Sequence, residues 1–198
     1  MRLVLIFAIL VSGVFGGTVA AQTKEAVFAG GCFWCLEGPF DALSGVMETE
    51  AGYTGGQISS PTYEQVSSGT SGHIEAMRVV YDPEQVDFEK LLDVFWRNID
   101  PLDAGGQFCD RGPQYRSAVF YADEAEESAA RASKERLEQA QGFKIATEIL
   151  PRTEFYAAEE YHQDYYKKNP LRYHFYRQGC GRDQRLRQLW GAEAKEKP

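Results

Sequence analysis

Residues 30–35, GGCFWC, combine a reactive side chain with two bulky aromatic neighbours. Cys32 follows a short predicted strand, residues 24–29, and a Gly-Gly turn. The sequence predicts that a helix begins at Cys32 and ends near Leu43. A thiol at a helix N-terminus lies near free N–H groups and the positive end of the helix dipole, so we expect a lowered pKa and a nucleophilic thiolate. A buried structural cysteine is the alternative.

Cys32 and Cys35 form a Cys-x-x-Cys pair, a spacing with three familiar uses. A thioredoxin-type site leaves room between its cysteines, but Phe33 and Trp34 fill that space. A zinc site needs four ligands, and the other two cysteines of the chain stand alone, so we predict no metal. The third use is a nucleophilic cysteine beside an apolar pocket, with a second thiol nearby to regenerate it. We favour this use because the two rings would then bind a small apolar group next to the thiolate.

The segment HIEAMRVVY, residues 73–81, predicts a strand that is apolar on both faces. Period-two alternation puts Glu75 on the same face as Met77 and Val79. Burial disfavours the charged form of a carboxyl group, so we expect a raised pKa and a Glu75 that donates a proton near pH 7. An edge-strand glutamate that faces water is the alternative.

A further set of polar residues lies in the loop GGQFCDRGPQYRS, residues 105–117. Asp110 and Tyr115 flank a Gly-Pro turn just before a predicted strand. Loops that lead into a strand often carry functional residues. An ordinary turn with a local hydrogen bond from Asp110 is the alternative.

Length, charge and the N-terminus bound the class of protein. Residues 1–21 have one basic residue, an apolar run too short for a comfortable membrane span, and small residues at Val19 and Ala21, as is typical of a cleaved signal peptide. An uncleaved anchor is less favoured. The net charge of −8 and the lack of a basic block argue against a nucleic-acid partner. We expect an exported monomer, periplasmic or secreted, with one catalytic domain over residues 22–198 and no stable membrane association.

The predicted elements follow the order β-α-β-β-α-β, then α-β, then a long tyrosine-rich tail. This order is that of a ferredoxin-like split β-α-β core with additions. An antiparallel sheet with helices on one side makes an α+β two-layer sandwich. We predict this fold class, with an irregular C-terminal tail.

Four segments together resemble the peptide methionine sulfoxide reductase A family. They are GCFWC at residues 31–35, PTYEQVSSGTSGHIE at 61–75, DRGPQYRS at 110–117 and EYHQDYYKKNP at 160–170. The resemblance covers residues 24–170 and implies an α+β two-layer sandwich. It also implies reduction of methionine-S-sulfoxide, free and in proteins, with no cofactor but an external thioredoxin-like or dithiol reductant. For an exported chain, this activity would repair oxidised exported proteins.

The resemblance also implies roles for individual residues. Cys32 attacks the sulfoxide sulfur and Glu75 protonates the sulfoxide oxygen, which leaves methionine and a sulfenic acid on Cys32. The implied pocket has a polar side, formed by Tyr63, Tyr115 and Asp110, that binds the oxygen. Its apolar side, formed by Phe33 and Trp34, holds the S-methyl group.

A second thiol must then resolve the sulfenic acid. Well-known family members carry glycine where this chain has Cys35, and their recycling cysteines lie in a shorter tail. Cys35 is close to Cys32 but shares a stiff helical turn with it. Cys180 has glycine on both sides, so we predict that Cys180 takes part in recycling through a disulfide with Cys32 or Cys35. The role of Cys109 is open.

Two other classes of function are consistent with parts of the sequence. An exported thiol-disulfide oxidoreductase would use Cys32 and Cys35 on disulfide substrates. A secreted binding domain would be stapled by Cys32–Cys180 or Cys35–Cys109 and would contain no free thiol.

Overall fold

The computed structural model describes residues 22–191. The predicted signal peptide, residues 1–21, lies outside the described residues, as do residues 192–198. Across the described part of the chain, no helix is both long enough and apolar enough to cross a membrane. The predicted α+β class is confirmed, with a central mixed sheet and packed helices.

Within residues 22–191 the chain forms eight strands and seven α-helices. The strands are β1 (Lys24–Gly30), β2 (Val46–Thr54), β3 (Ile74–Tyr81), β4 (Gly106–Gln107), β5 (Asp110–Arg111), β6 (Ser117–Tyr121), β7 (Glu148–Pro151) and β8 (Tyr156–Ala157). The helices are α1 (Trp34–Asp41), α2 (Tyr63–Ser67), α3 (Phe88–Arg97), α4 (Glu124–Gln141), α5 (Tyr165–Lys168), α6 (Pro170–Gly179) and α7 (Arg182–Trp190).

The main sheet has the strand order β7-β6-β1-β3-β2-β8. Neighbouring strands are antiparallel except β6 and β7, which pair in parallel. The expectation of a purely antiparallel sheet is therefore wrong at this edge, because α4 crosses over the sheet and returns the chain in the direction of β6. The central strands and their helices follow the predicted β-α-β-β-α-β order.

The residues of β3 alternate between two apolar clusters. Met77 and Val79 belong to the larger cluster, which lies between the sheet and the helices. Ile74 and Ala76 belong to a smaller cluster on the opposite face. Phe28 of β1 is fully buried in the larger cluster, and burial of such a ring stabilises the fold by about 1.5–3 kcal/mol. The predicted alternation of β3 is confirmed, and it directs Glu75 toward the helical side.

The C-terminal tail is helical, so the prediction of an irregular tail is wrong. α6 and α7 follow each other with only Cys180 and Gly181 between them. Arg177 joins the two helices to each other, since its Nε donates to Asp183 Oδ1 at 2.7 Å, and Arg182 attaches them to the rest of the protein. Arg182 donates to the carbonyl oxygens of Gly30 and Asn98 at 3.1 and 2.7 Å. The helices have weak apolar faces, and they are held by these polar contacts, which hydrophobic periodicity does not reveal.

Candidate active site

The turn that leads to Cys32 depends on close backbone packing. Gly31 has a φ of 76°, and a Cβ atom there would lie 2.4 Å from the Cβ of Gln107. A larger residue would therefore clash as well as strain the backbone. Gln107 in turn is fixed by two hydrogen bonds to the backbone of Asp100, at 2.8 and 2.7 Å. The double glycine brings Cys32 to the C-terminal end of the central strand β1, beside the loop that contains Asp110.

The prediction that a helix N-terminus lowers the pKa of Cys32 is wrong. α1 begins at Trp34 with Phe33 as its N-cap, so Cys32 precedes the helix. The Phe33 N–H donates to Glu75 Oε2 at 3.3 Å. The first free amide of the helix is thus used to bind a carboxyl group rather than a thiolate.

The thiols of Cys32 and Cys35 are joined by a hydrogen bond. The bond from Cys32 lowers the pKa of Cys35 to about 6, against the opposing effect of burial, and the guanidinium groups of Arg182 and Arg177 lower it further. Burial, above all, raises the pKa of Cys32 well above its usual range, and the charge on Cys35 and nearby carboxyl groups adds to this effect. Near neutral pH the pair therefore holds one proton and one negative charge.

Glu75 is buried, with 2% of its surface exposed. Burial raises its pKa to about 8; the hydrogen bond from Phe33 opposes this rise, and the charges of Asp110 and Cys35 favour it. The expectation of a buried Glu75 with a raised pKa is confirmed. At pH 7 most molecules carry a neutral carboxylic acid here, which is an available proton donor.

Tyr63 and Tyr115 come from separate elements and meet at the site. Tyr63 is the first residue of α2, and Tyr115 ends a 3₁₀ turn, Pro113–Tyr115. The two side chains interact electrostatically with each other. Burial raises the pKa of Tyr63 to about 12 and also raises the pKa of Tyr115, and the charges of Glu75 and Cys32 act on both groups. Both hydroxyls therefore stay protonated and can donate hydrogen bonds.

Asp110 joins the site to the C-terminal helices. It interacts electrostatically with Cys32 and Cys35, and the hydroxyl of Tyr176 on α6 donates to its Oδ2. Burial raises the pKa of Asp110, while the bond from Tyr176 opposes that rise. The structure thus brings together the predicted acid, the two tyrosines and this aspartate around the thiol pair.

The two rings between the cysteines are held by other aromatic residues. Trp34 stacks flat on Tyr165 with ring centroids 3.7 Å apart, and its Nε1–H donates to Nδ1 of His162 at 3.1 Å. Phe33 is buried, and its ring centroid lies 4.9 Å from that of His162. The rings form a rigid apolar wall next to Cys32.

This arrangement contains the groups that reduction of a small polar oxide requires. It contains a thiol beside a thiolate, a neutral carboxylic acid, two hydroxyl donors and a rigid aromatic wall. A thiol of this kind can attack an electrophilic sulfur while the acid protonates the departing oxygen.

Known proteins resemble the chain over most of its length. The family model of peptide methionine sulfoxide reductase matches residues 24–194. The chain belongs to this family. Peptide methionine sulfoxide reductase MsrA 2 of Caulobacter vibrioides is 50% identical over 194 residues, which cover 96% of this chain and 98% of the relative.

Two solved structures of Mxr1 from Saccharomyces cerevisiae are similar in fold. The reduced form has a TM-score of 0.72 and 35% identity, and the match covers 76% of this chain and 88% of Mxr1. The form in complex with Trx2 has a TM-score of 0.52 and 25% identity, and the match covers 75% of this chain and 91% of the Mxr1 chain.

Membership of the peptide methionine sulfoxide reductase family confirms the predicted activity. The protein is a peptide-methionine (S)-S-oxide reductase that reduces methionine sulfoxide by cysteine-based catalysis. Enzymes of this family use no prosthetic cofactor.

Sequence reasoning missed three residues of the reductase site. His162 lies within the motif at residues 160–170, and it is 1% exposed between Trp34 and Tyr63. Burial lowers its pKa, so it is neutral, and because Nδ1 accepts from Trp34 the proton lies on Nε2. Arg177 and Arg182 lie in the C-terminal tail, outside the four motifs. A single histidine or arginine has no periodic signal that would mark it as buried.

The structure pairs the cysteines differently from every pairing expected from the sequence. Cys109 and Cys180 form a disulfide with a Cα–Cα distance of 4.8 Å, and Cys32 and Cys35 are free and buried. The two staples expected of a binding domain, Cys32–Cys180 and Cys35–Cys109, are thus not the ones formed. Cys180 is likewise bonded to Cys109 rather than to Cys32 or Cys35, and its part in recycling stays a prediction.

Proposed function

We propose that the enzyme reduces methionine-S-sulfoxide, free and in proteins, through attack of Cys32 on the sulfoxide sulfur. The observation that carries this proposal is a neutral Glu75, with a pKa of about 8, next to the Cys32–Cys35 thiol pair. Cys35, as the thiolate of the pair, takes the proton of Cys32 as the Cys32 sulfur attacks. Glu75 protonates the sulfoxide oxygen, which transfers to Cys32 as a sulfenic acid while methionine departs.

The surrounding side chains bind the two ends of the sulfoxide group. The hydroxyls of Tyr63 and Tyr115 donate to the oxygen, and Asp110 holds the polar side of the pocket. Phe33 and Trp34 contact the S-methyl group, and their rings are held in place by His162 and Tyr165. This division of the pocket selects a sulfoxide over a sulfide, because only the sulfoxide satisfies the hydroxyl donors.

Cys35 resolves the sulfenic acid. Cys35, now a thiol, attacks the Cys32 sulfur and gives up the proton that it accepted; a Cys32–Cys35 disulfide forms, and the hydroxyl of the sulfenic acid leaves with that proton as water. The hydrogen bond between the two thiols supports this step, since the attacking sulfur already contacts its target. A thioredoxin-like reductant returns the enzyme to the dithiol state, and the complex of the relative Mxr1 with Trx2 supports this class of partner.

We further propose that the enzyme is exported by a signal peptide at residues 1–21 and repairs oxidised exported proteins. The composition of that segment supports export. Comparison of the N-terminal sequence of the protein from the periplasm or medium with that from the cytosol tests this part. A processed N-terminus near Gln22 is expected, and an intact Met1 in every fraction would contradict it.

The reaction is tested by methionine release from each epimer of methionine sulfoxide, free and within a peptide. We expect release from the S epimer in both forms, and loss of release in Cys32→Ser. Cys35→Ser should still release one methionine per chain, more slowly because serine cannot accept the Cys32 proton as a thiolate does, and should then stop because resolution is blocked. A Cys32→Ser variant that turns over with dithiothreitol would contradict the assignment of the nucleophile.

A further inference from the structure

The four cysteines form two pairs that differ in access to solvent. Cys32 and Cys35 are 7% and 1% exposed, and Cys35 packs beneath Tyr165 and Tyr173. Cys109 is exposed and its partner Cys180 is half-buried. A protein reductant cannot reach the Cys35 sulfur in this arrangement, whereas the Cys109 sulfur lies open to it.

Each cysteine of the exposed pair is close in sequence to residues that interact with the buried thiols. Cys180 lies between Arg177 and Arg182, and both guanidinium groups act on the Cys35 thiol. Cys109 directly precedes Asp110, which interacts with both buried thiols. The hydroxyl of Tyr176 completes the connection, because it donates to Asp110 from the turn of α6 that precedes Cys180.

The segment around Cys180 has space to move. Glycines at positions 179 and 181 flank the cysteine, and a Cβ atom added at either position would meet no atom within 4 Å. The glycines remove the backbone restrictions that a side chain imposes. A reduced Cys180 can therefore leave Cys109 and approach the buried pair without displacing packed side chains around its own backbone.

We propose that Cys109 and Cys180 form the second disulfide of an internal relay, which takes electrons from a thioredoxin-like dithiol and passes them to the buried Cys32–Cys35 pair. This inference rests on the proposed function, in which each turnover produces a Cys32–Cys35 disulfide. It assigns Cys109 as the sulfur that the external reductant attacks.

The exchange takes place in two steps. The Cys180 thiolate attacks the Cys35 sulfur; a Cys35–Cys180 bond forms, the Cys32–Cys35 bond breaks, and Cys32 leaves and takes up a proton. The Cys109 thiolate then attacks the Cys180 sulfur; the Cys109–Cys180 bond forms, and Cys35 leaves as a thiolate. Two electrons pass from the outer pair to the inner pair, and the protons of the outer thiols are released or taken up by the inner ones.

The environment of Cys35 favours the second step. A thiol with a low pKa is the better leaving group in disulfide exchange, and Arg177 and Arg182 help to hold the pKa of Cys35 at about 6. The external dithiol then opens the Cys109–Cys180 bond through a mixed disulfide on Cys109. The structure corresponds to the product of the exchange, with the inner pair reduced and the outer pair oxidised.

The stoichiometry of a reaction without added reductant tests the relay. The protein is fully reduced, the reductant is removed, and excess S-sulfoxide is added. Four thiols hold the electrons for two disulfides, so wild type should release about two methionines per chain, and the double variant Cys109→Ser/Cys180→Ser about one. Peptide mapping of wild type after one equivalent of sulfoxide should find the Cys109–Cys180 bond, with Cys32 and Cys35 free for alkylation.

Steady-state rates give the second measurement. With thioredoxin, thioredoxin reductase and NADPH, the double variant should turn over at least about tenfold more slowly than wild type. With dithiothreitol, which is small enough to reach the inner pair, its rate should stay within about twofold, which also shows that it folds.

Failure of the relay and failure of the proposed function give different results. About one methionine from reduced wild type, or equal thioredoxin-supported rates in both proteins, would show that the outer disulfide is only structural. No methionine from either protein would contradict the proposed function itself.

Discussion

Glu75→Gln tests the central feature of the site, a carboxyl group that stays protonated at neutral pH because it is buried. Glutamine has nearly the same shape and can still accept the hydrogen bond from the Phe33 N–H, which is 3.3 Å long in the structure. It cannot titrate or donate an acidic proton. The variant therefore changes stability as a function of pH and changes the rate, and the two effects are measured separately.

The effect on stability follows from the pKa of Glu75, about 8 in the folded protein against 4.5 for an ordinary glutamate. Between these pH values the folded state binds more protons than the unfolded chain. The contribution of protonated Glu75 to the free energy of unfolding is therefore fully present below pH 4.5 and is lost as pH rises toward 8. Each pKa unit corresponds to 1.36 kcal/mol, so the loss is on the order of 5 kcal/mol. Glutamine has no such loss, and the variant should gain this amount relative to wild type between pH 4.5 and 9.

Chemical denaturation at a series of pH values measures the difference in the free energy of unfolding. Rapid-quench measurement of the first methionine released gives the rate, which should fall by roughly 10²–10⁴-fold at pH 7 when the general acid is removed. Glu37→Gln is the matched control. Glu37 is also buried, burial raises its pKa to about 7, and its Oε1 accepts from the Asp164 N–H outside the reacting groups.

The control should therefore change the pH dependence of stability but not the rate of the first turnover. If Glu75→Gln keeps the wild-type rate at pH 7, or if its stability varies with pH as that of wild type does, then Glu75 is not a buried acid that takes part in the reaction.

Three further predictions concern the same site. The rate of the first turnover should rise through about pH 6, as the Cys35 thiolate forms, and fall through about pH 8, as Glu75 ionises; a flat profile from pH 5 to 9 would contradict both assignments. Trp34→Ala should lower kcat/KM for methionine sulfoxide by several-fold, since burying a methyl group is worth about 0.8 kcal/mol, and should affect substrates with bulkier S-alkyl groups less. Arg182→Gln should raise the pKa at which the thiol pair first ionises, measured by thiolate absorbance against pH, and an unchanged titration would rule out its charge as a cause.

Local sequence patterns determined the elements that carry the site. The alternation in HIEAMRVVY predicted both the strand β3 and the burial of Glu75, because a side chain with apolar neighbours on its own face has no route to water. Asp87, a residue type favoured at helix N-termini, directly precedes α3, and its side chain accepts from the Lys90 N–H at 2.7 Å. The motifs around Cys32, Glu75 and Asp110 predicted the family and its reaction. Each of these features depends on residues that are close together along the chain.

Only the tertiary structure decided which thiol is acidic and which cysteines are paired. The sequence predicted a low pKa for Cys32 from its neighbours in the chain, but burial in the folded protein raises it. The pKa of Cys35 is lowered first by the hydrogen bond from Cys32 and then by arginines of the C-terminal helices. The bond between Cys109 and Cys180 depends on the same docking, which brings residues 71 positions apart into contact. Electrostatic energy and bond formation depend on distance in space, and that distance is set by packing of distant segments. Periodicity records only which face of an element is apolar, so the sequence determined the residues of the active site but not their charge state or the Cys109–Cys180 disulfide.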